Sequence, residues 1–88
     1  MVVLSYEIIF DEAAFSVLNK LPKPVRERIF QRILMAKSNP FYFFERLKGR
    51  SDFKLRIGNY RIIADINYRK KRIEITLIGH RKNIYKNL

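Results

Sequence analysis

The chain has 88 residues, no cysteine, and 19 Lys and Arg against 8 Asp and Glu, a formal charge of +11. That length accommodates one hydrophobic core and no second module, so residues 1–88 are read as a single domain without disulfides, thiol nucleophiles or Cys-based zinc sites. So large a charge destabilises the compact state and points to a polyanionic partner; nucleic acid is expected before a membrane, because no apolar run approaches the ~20 residues of a span and no long helix collects the cations on one face.

The opening "MVVLSYEIIF" lacks a basic n-region and a small-residue cleavage site, so it is not read as a signal peptide and the expected location is the cytoplasm. Leu4, Tyr6, Ile8 and Phe10 alternate with Val3, Ser5, Glu7 and Ile9, the pattern of a strand with one buried face. Asp11 then suits a helix N-cap, with Glu12 near the positive end of the helix dipole. This first helix runs to about Leu21, with Ala14, Val17, Leu18 and Leu21 at helical spacing. Pro22 and Pro24 break it, and Pro24 fits the first turn of a second helix carrying Val25, Ile29, Ile33 and Ala36 on one stripe, which Phe30 and Leu34 widen. "KSNP" ends that helix near Ser38.

"FYFFERLKGRSD" reads as a connecting segment, and its four adjacent aromatics as core packing or a partner groove. Three strands are expected at about Phe53 to Ile57, Tyr60 to Asn67 and Arg72 to Ile78, with a tight turn or bulge at Gly58-Asn59 and a second bend at "YRKKR". Short connections between them imply an antiparallel meander. The fold class is therefore α+β in the order β-α-α-β-β-β, with two N-terminal helices packed on an antiparallel sheet. The tail "KNIYKNL" is a last helical turn or an irregular end.

The chemistry available to such a chain is narrow. A metal-dependent nuclease needs clustered carboxylates or histidines, whereas the acids here are scattered and Asp65 with Glu74 reads as a cross-strand pair beside cations. His80 is the only histidine, which removes a histidine-pair ribonuclease, and three glycines supply no phosphate loop. No metal or cofactor is expected. RNA, however, carries its own nucleophile in the 2′-hydroxyl, so cleavage requires in-line positioning, proton movement and stabilisation of charge on the phosphate. Cations and tyrosines can supply these. Because a lysine crowded by other cations gives up its proton more readily, Lys54 is the candidate base.

In this order and spacing, "RLKGRSD", "KLRIGNYRII" and "LIGHRKNIY" behind a strand and two helices resemble the RelE/ParE toxin superfamily, and the RelE ribonuclease branch more than the ParE branch. The resemblance covers essentially the whole chain. It implies a small basic toxin that cuts mRNA on the ribosome without a metal and is held inactive by a cognate RelB-like antitoxin. Carried over by position, Lys54 matches a strand lysine proposed as base or phosphate contact, and Arg56 stands where the archetype has a second lysine. Arg61 matches an arginine that stabilises the transition-state phosphate. Arg81 matches one proposed to stabilise charge or protonate the leaving oxygen, and Tyr85 a tyrosine that stacks on the substrate base. His80 keeps a secondary claim, since some branches use a histidine near the C-terminus. Lys48, Arg50, Arg69, Lys70, Lys71, Arg72 and Lys82 are the expected contacts to mRNA and ribosomal RNA.

Blander readings stand beside these. Lys54 and Arg56 also fit a solvated strand face, Tyr85 a tail anchor, His80 a hydrogen-bonded strand end, Tyr60 the core, and "RKKR" a solvated turn. Two functional alternatives share the charge: a ParE-like inhibitor of DNA gyrase that acts by binding, and a nonenzymatic RNA-binding module.

Overall fold

The first strand begins later than its alternation suggests: β1 covers Glu7–Phe10, and Tyr6 just before it is buried. The computed structural model describes residues 5–88, so Val3 and Leu4 lie outside the described residues. Asp11 caps α1 (Glu12–Lys20) as expected, its carboxylate accepting from the Ala14 amide at 3.0 Å. Helix α2 (Lys23–Met35) starts with Pro24 in its first turn, where the missing N–H leaves no carbonyl unpaired, and it ends before the predicted stop. The difference arises at Ala36, whose amide bonds back to Arg32 and Ile33 and closes the helix, leaving Pro40 free to open a separate one-turn helix, α3 (Pro40–Phe43). The segment expected to be a connector thus holds α3 and a two-residue strand, β2 (Glu45–Arg46).

The predicted meander follows as β3 (Phe53–Ile57), β4 (Tyr60–Asn67) and β5 (Arg72–His80), then a one-turn helix α4 (Arg81–Ile84) and a 3-10 turn (Tyr85–Asn87). Gly58 turns the β3–β4 hairpin at φ +55°, a left-handed conformation that favours glycine. The sheet has five strands in the order β1-β5-β4-β3-β2, with β1 parallel to β5 and every other pair antiparallel. β2 pairs only with Phe53 and Lys54, so the outer edge of β3 beyond Lys54 is uncovered.

Helices α1 and α2 cover one face of the sheet. Ala14, Leu18, Ile29, Ile33 and Ala36 meet Leu55, Ile57, Ile62, Ala64, Ile73, Ile75 and Ile78 in the main core. Phe30 and Leu34, expected to widen the buried stripe of α2, are instead exposed, as are Phe15 and Met35. A smaller core lies on the opposite face, where Ile84 of α4 packs with Leu47, Ile63 and Leu77.

One irregularity decides which side chains reach that second face. Ile63 pairs with Leu77 and Ala64 with Ile75, so Thr76 is an extra residue in β5, its hydroxyl donating to the Ile63 carbonyl at 3.2 Å. Such a bulge inverts the alternation after it. Ile73 and Ile75 point to the main core before the bulge and Ile78 does so after it, which leaves Gly79 on the α4 face and His80 on the helix-covered face.

Candidate active site

Residues paired directly across antiparallel strands project to the same side of a sheet. The register joins Glu45 to Lys54 and Lys54 to Ile63, then Arg56 to Arg61 and Arg61 to Gly79. Since Ile63 belongs to the small core under α4, the α4 face also carries Glu45, Lys54, Arg56 and Arg61. The basic alternation of "KLRIGNYRII" is therefore the outward half of a strand pair whose Leu55, Ile57 and Ile62 fill the main core.

Arg61 is the unusual member. It is only 7 % exposed, and its Nη1 donates to the Gly58 carbonyl at 2.8 Å and to the Tyr60 carbonyl at 2.9 Å. Both acceptors belong to its own hairpin, so the guanidinium is clamped by neutral dipoles. Among the described residues no carboxylate comes within 4.0 Å of it. Arg56, directly opposite, is a second cation without an acid at that distance. Like charges in opposed positions destabilise a sheet by up to about 1 kcal/mol, so this pair is not there for stability.

Tyr85 closes the group. Ile84, 1 % exposed, anchors the turn in the small core, and Tyr85 follows it with its ring half exposed and the Lys54 ammonium 5.9 Å from the ring centroid. Burial alone pushes the phenol up, but hydrogen bonding with Arg61 and the charge and hydrogen bonding of Lys54 outweigh it, and the hydroxyl titrates below its ordinary value. Gly79 permits this closeness: a Cβ there would lie 3.2 Å from Ile84 Cδ1. Arg81 starts α4 with an exposed side chain, and its amide donates to the Asn59 carbonyl at 2.7 Å, tying α4 to the hairpin that clamps Arg61. Lys54, Arg56, Arg61, Arg81 and Tyr85 thus gather about the β3–β4 turn and α4.

His80 lies on the other face. Its ring meets Tyr60 edge-on at 5.7 Å, and its Nδ1 accepts from the Lys82 amide at 3.2 Å, capping α4. Tyr60 itself packs on the main core. The outlying cations are dispersed. Arg50 pairs with Asp52 through Nε at 2.8 Å and Nη2 at 2.9 Å, and Arg72 lies 3.4 Å from Glu7, its register partner. Lys71, at φ +53°, sets its ammonium 3.9 Å from the Tyr68 ring centroid and 5.3 Å from that of Tyr6. Lys48, Arg69, Lys70 and Lys82 are exposed. The Arg69–Lys71 turn is at the far end of β4, roughly 20 Å from Arg61 at about 3.4 Å per residue.

Sequence reading passed over Glu45. It belongs to a two-residue strand that shows no periodicity, yet the register sets it opposite Lys54 on the α4 face. Asp65 and Glu74 are opposed in the same way, and among the described residues no three Asp, Glu or His side chains are grouped to hold a metal ion. No described helix is long and apolar enough to cross a membrane.

A family model described as the ParE toxin of type II toxin–antitoxin systems (parDE) matches residues 8–85. Solved structures share the fold. The Mycobacterium tuberculosis RelBE2 toxin–antitoxin complex contains a chain 21 % identical, with a TM-score of 0.79 over 88 % of this chain and 99 % of that one. A chain of the intact Escherichia coli RelBE complex is 23 % identical, with a TM-score of 0.76 over 85 % and 95 %. One from the Methanococcus jannaschii RelB–RelE complex is 26 % identical, with a TM-score of 0.71 over 91 % and 98 %. No curated protein matches by sequence.

Proposed function

This chain belongs to the ParE toxin family, within the RelE/ParE superfamily of type II toxin–antitoxin toxins, and on that premise we propose that it is a metal-independent endoribonuclease of RelE type that cleaves mRNA on the ribosome. The observation that carries this reading is the buried Arg61 guanidinium without an acid partner, set beside Lys54 and an acidified Tyr85. A clamped cation of this kind is preorganised for charge that develops on another molecule.

In the proposed step the RNA 2′-oxygen bonds to the adjacent phosphorus while the bond from phosphorus to the 5′-oxygen breaks, leaving a 2′,3′-cyclic phosphate and a free 5′-hydroxyl. Arg61 and Arg56 face the non-bridging oxygens. Lys54 takes the 2′-proton, with Glu45 opposite it as a second acceptor on the same face. The Tyr85 hydroxyl or Arg81 serves the leaving oxygen, and the half-exposed Tyr85 ring offers a stacking surface for a base. The ribosome supplies the in-line geometry, which suits a site with few proton carriers. The antitoxin is expected to be RelB-like, as in the complexes that contain the similar chains, with an acidic segment that answers the charge of +11 and apolar residues for exposed side chains such as Phe15, Phe30, Leu34 and Met35.

The family model's ParE description favours one competing reading, a noncatalytic inhibitor that binds DNA gyrase. Such an inhibitor has no need of Lys54 and Arg61 both set beside Tyr85. Purified protein added to translating ribosomes in EDTA separates the two. RNA ends in codon register bearing 2′,3′-cyclic phosphate, lost in Lys54→Met and weakened in Glu45→Gln, support the nuclease. Intact mRNA together with blocked supercoiling by gyrase overturns it.

A further inference from the structure

Of the three arginines on helix α2, none of which the site above uses, two stand beside the β3–β4 hairpin. Arg28 and Arg32 stand one helical turn apart, both exposed, and they line a small cavity of about 190 Å³ together with Arg56, Ile57 and Gly58. The cavity opens beside the part of β3 that β2 leaves uncovered. Arg28 is laid against the hairpin: its Nη2 lies 3.0 Å from where a Cβ on Gly58 would sit, closer than ordinary contact. The carbonyl of that same glycine accepts from Arg61. Arg28 from the helical layer thus lies against the same glycine whose carbonyl Arg61 holds.

None of Arg28, Arg32 and Arg56 has a carboxylate within 4.0 Å among the described residues, whereas Lys23 on helix α2 is paired with Glu27. A convergence of cations that stabilises nothing within the chain calls for an anion from outside, and the planar fork of a guanidinium suits a phosphate. We propose that Arg28, Arg32 and Arg56 form a phosphate subsite for single-stranded RNA, holding a backbone phosphate next to the one presented to Arg61 and leading the strand over the open edge of β3 toward α2. That the strand is the one being cut rests on the ribonuclease reading; the binding chemistry does not. Arg56 is the hinge of the arrangement, since it stands opposite Arg61 in register and also lines the cavity with the α2 arginines.

The test measures equilibrium binding of a 2′-O-methyl oligouridylate, which cannot be cleaved, to the full chain across a salt series. Each single-strand phosphate neutralised contributes about 0.7 to the slope of log K against log salt, so Arg28→Gln/Arg32→Gln should flatten the slope by about 1.4. Lys20→Gln/Lys23→Gln removes the same charge outside the cavity and should change it by less than half as much. Arg28→Lys/Arg32→Lys should keep the slope and lose affinity. An unchanged slope in the glutamine pair, or an equal fall in both pairs, overturns the subsite, as does loss of binding to an acidic helical peptide with RNA binding intact. Because the probe is uncleavable, a wild-type protein that fails to cut mRNA on ribosomes refutes the ribonuclease reading and leaves the slopes interpretable. Cleavage with indifferent slopes refutes the subsite alone.

Discussion

Gly79→Ala probes the contact that seats α4. The added Cβ would lie 3.2 Å from Ile84 Cδ1, inside the 3.4–4 Å of ordinary contact, so one of the two must retreat by a few tenths of an ångström. Ile84 is 1 % exposed among Leu47, Ile63 and Leu77 and has little room to do so. Overpacking of this kind costs about 1–3 kcal/mol, and in a domain of this size each kcal/mol lowers Tm by roughly 4–8 °C. Ile84→Val deletes the very atom that is struck, at about 0.5–1.5 kcal/mol by itself. The double variant should therefore be more stable than the sum of the two losses by about 1 kcal/mol, where independent sites add within ~0.5 kcal/mol. Urea unfolding of the four proteins, with midpoints compared at a common m value, measures the coupling. Additive losses, or a Gly79→Ala protein as stable as wild type, would show that α4 is not seated by this contact. Since Tyr85 follows Ile84, the single Gly79→Ala variant should also return the Tyr85 phenol toward its ordinary titration, and Ile84→Val should restore the shift.

Three further outcomes are expected. By Cζ carbon NMR, Tyr85 should titrate below the 10.0 of a free phenol and move upward in Lys54→Met and in Arg61→Met; because the folded value is the lower one, its contribution to stability is absent at neutral pH, grows as pH rises through the lowered value and is complete above 10.0. His80→Asn keeps a cap for the Lys82 amide and should leave stability and RNA cleavage near wild type, whereas His80→Ala should cost about 1 kcal/mol; a large loss of cleavage in stable His80→Asn would return that residue to the chemistry. Lys71 holds a left-handed conformation that strains a non-glycine residue by about 1 kcal/mol, offset by two aromatic contacts of about 0.5–1 kcal/mol each, so Lys71→Ala should destabilise by roughly 1 kcal/mol in thermal melts while Lys71→Gly, which relieves the strain, should be nearly neutral.

Local signals carried much of the fold. The Asp11 cap, the prolines opening α2, the Gly58-Asn59 turn and the period-2 pattern of β3 each act within a few residues, and each appears where the sequence places it. Strand alternation and hairpin pairing put Lys54, Arg56 and Arg61 on one face, whereas the approach of Tyr85 depends on how α4 packs on the sheet and is not legible in the sequence. What stayed hidden depends on register between distant segments. The Thr76 bulge is marked by no Gly or Pro, yet it inverts β5 and sends His80 to the covered face. The parallel pairing of β1 with β5 joins residues more than sixty positions apart. Glu45 gains its place opposite Lys54 from two residues of pairing, and Arg28 and Arg32 look like the solvated side of an amphipathic helix until α2 is packed beside an open strand edge.

The central claim is that the clamped guanidinium of Arg61 stabilises charge on a scissile phosphate. Its most direct measurement is the single-turnover rate of mRNA cleavage on programmed ribosomes by Arg61→Met, at a temperature where melting shows the variant folded. Loss of one preorganised charge donor should lower that rate by about 10²-fold or more while leaving ribosome binding largely intact. A folded Arg61→Met protein that cuts within about threefold of wild type would contradict the claim.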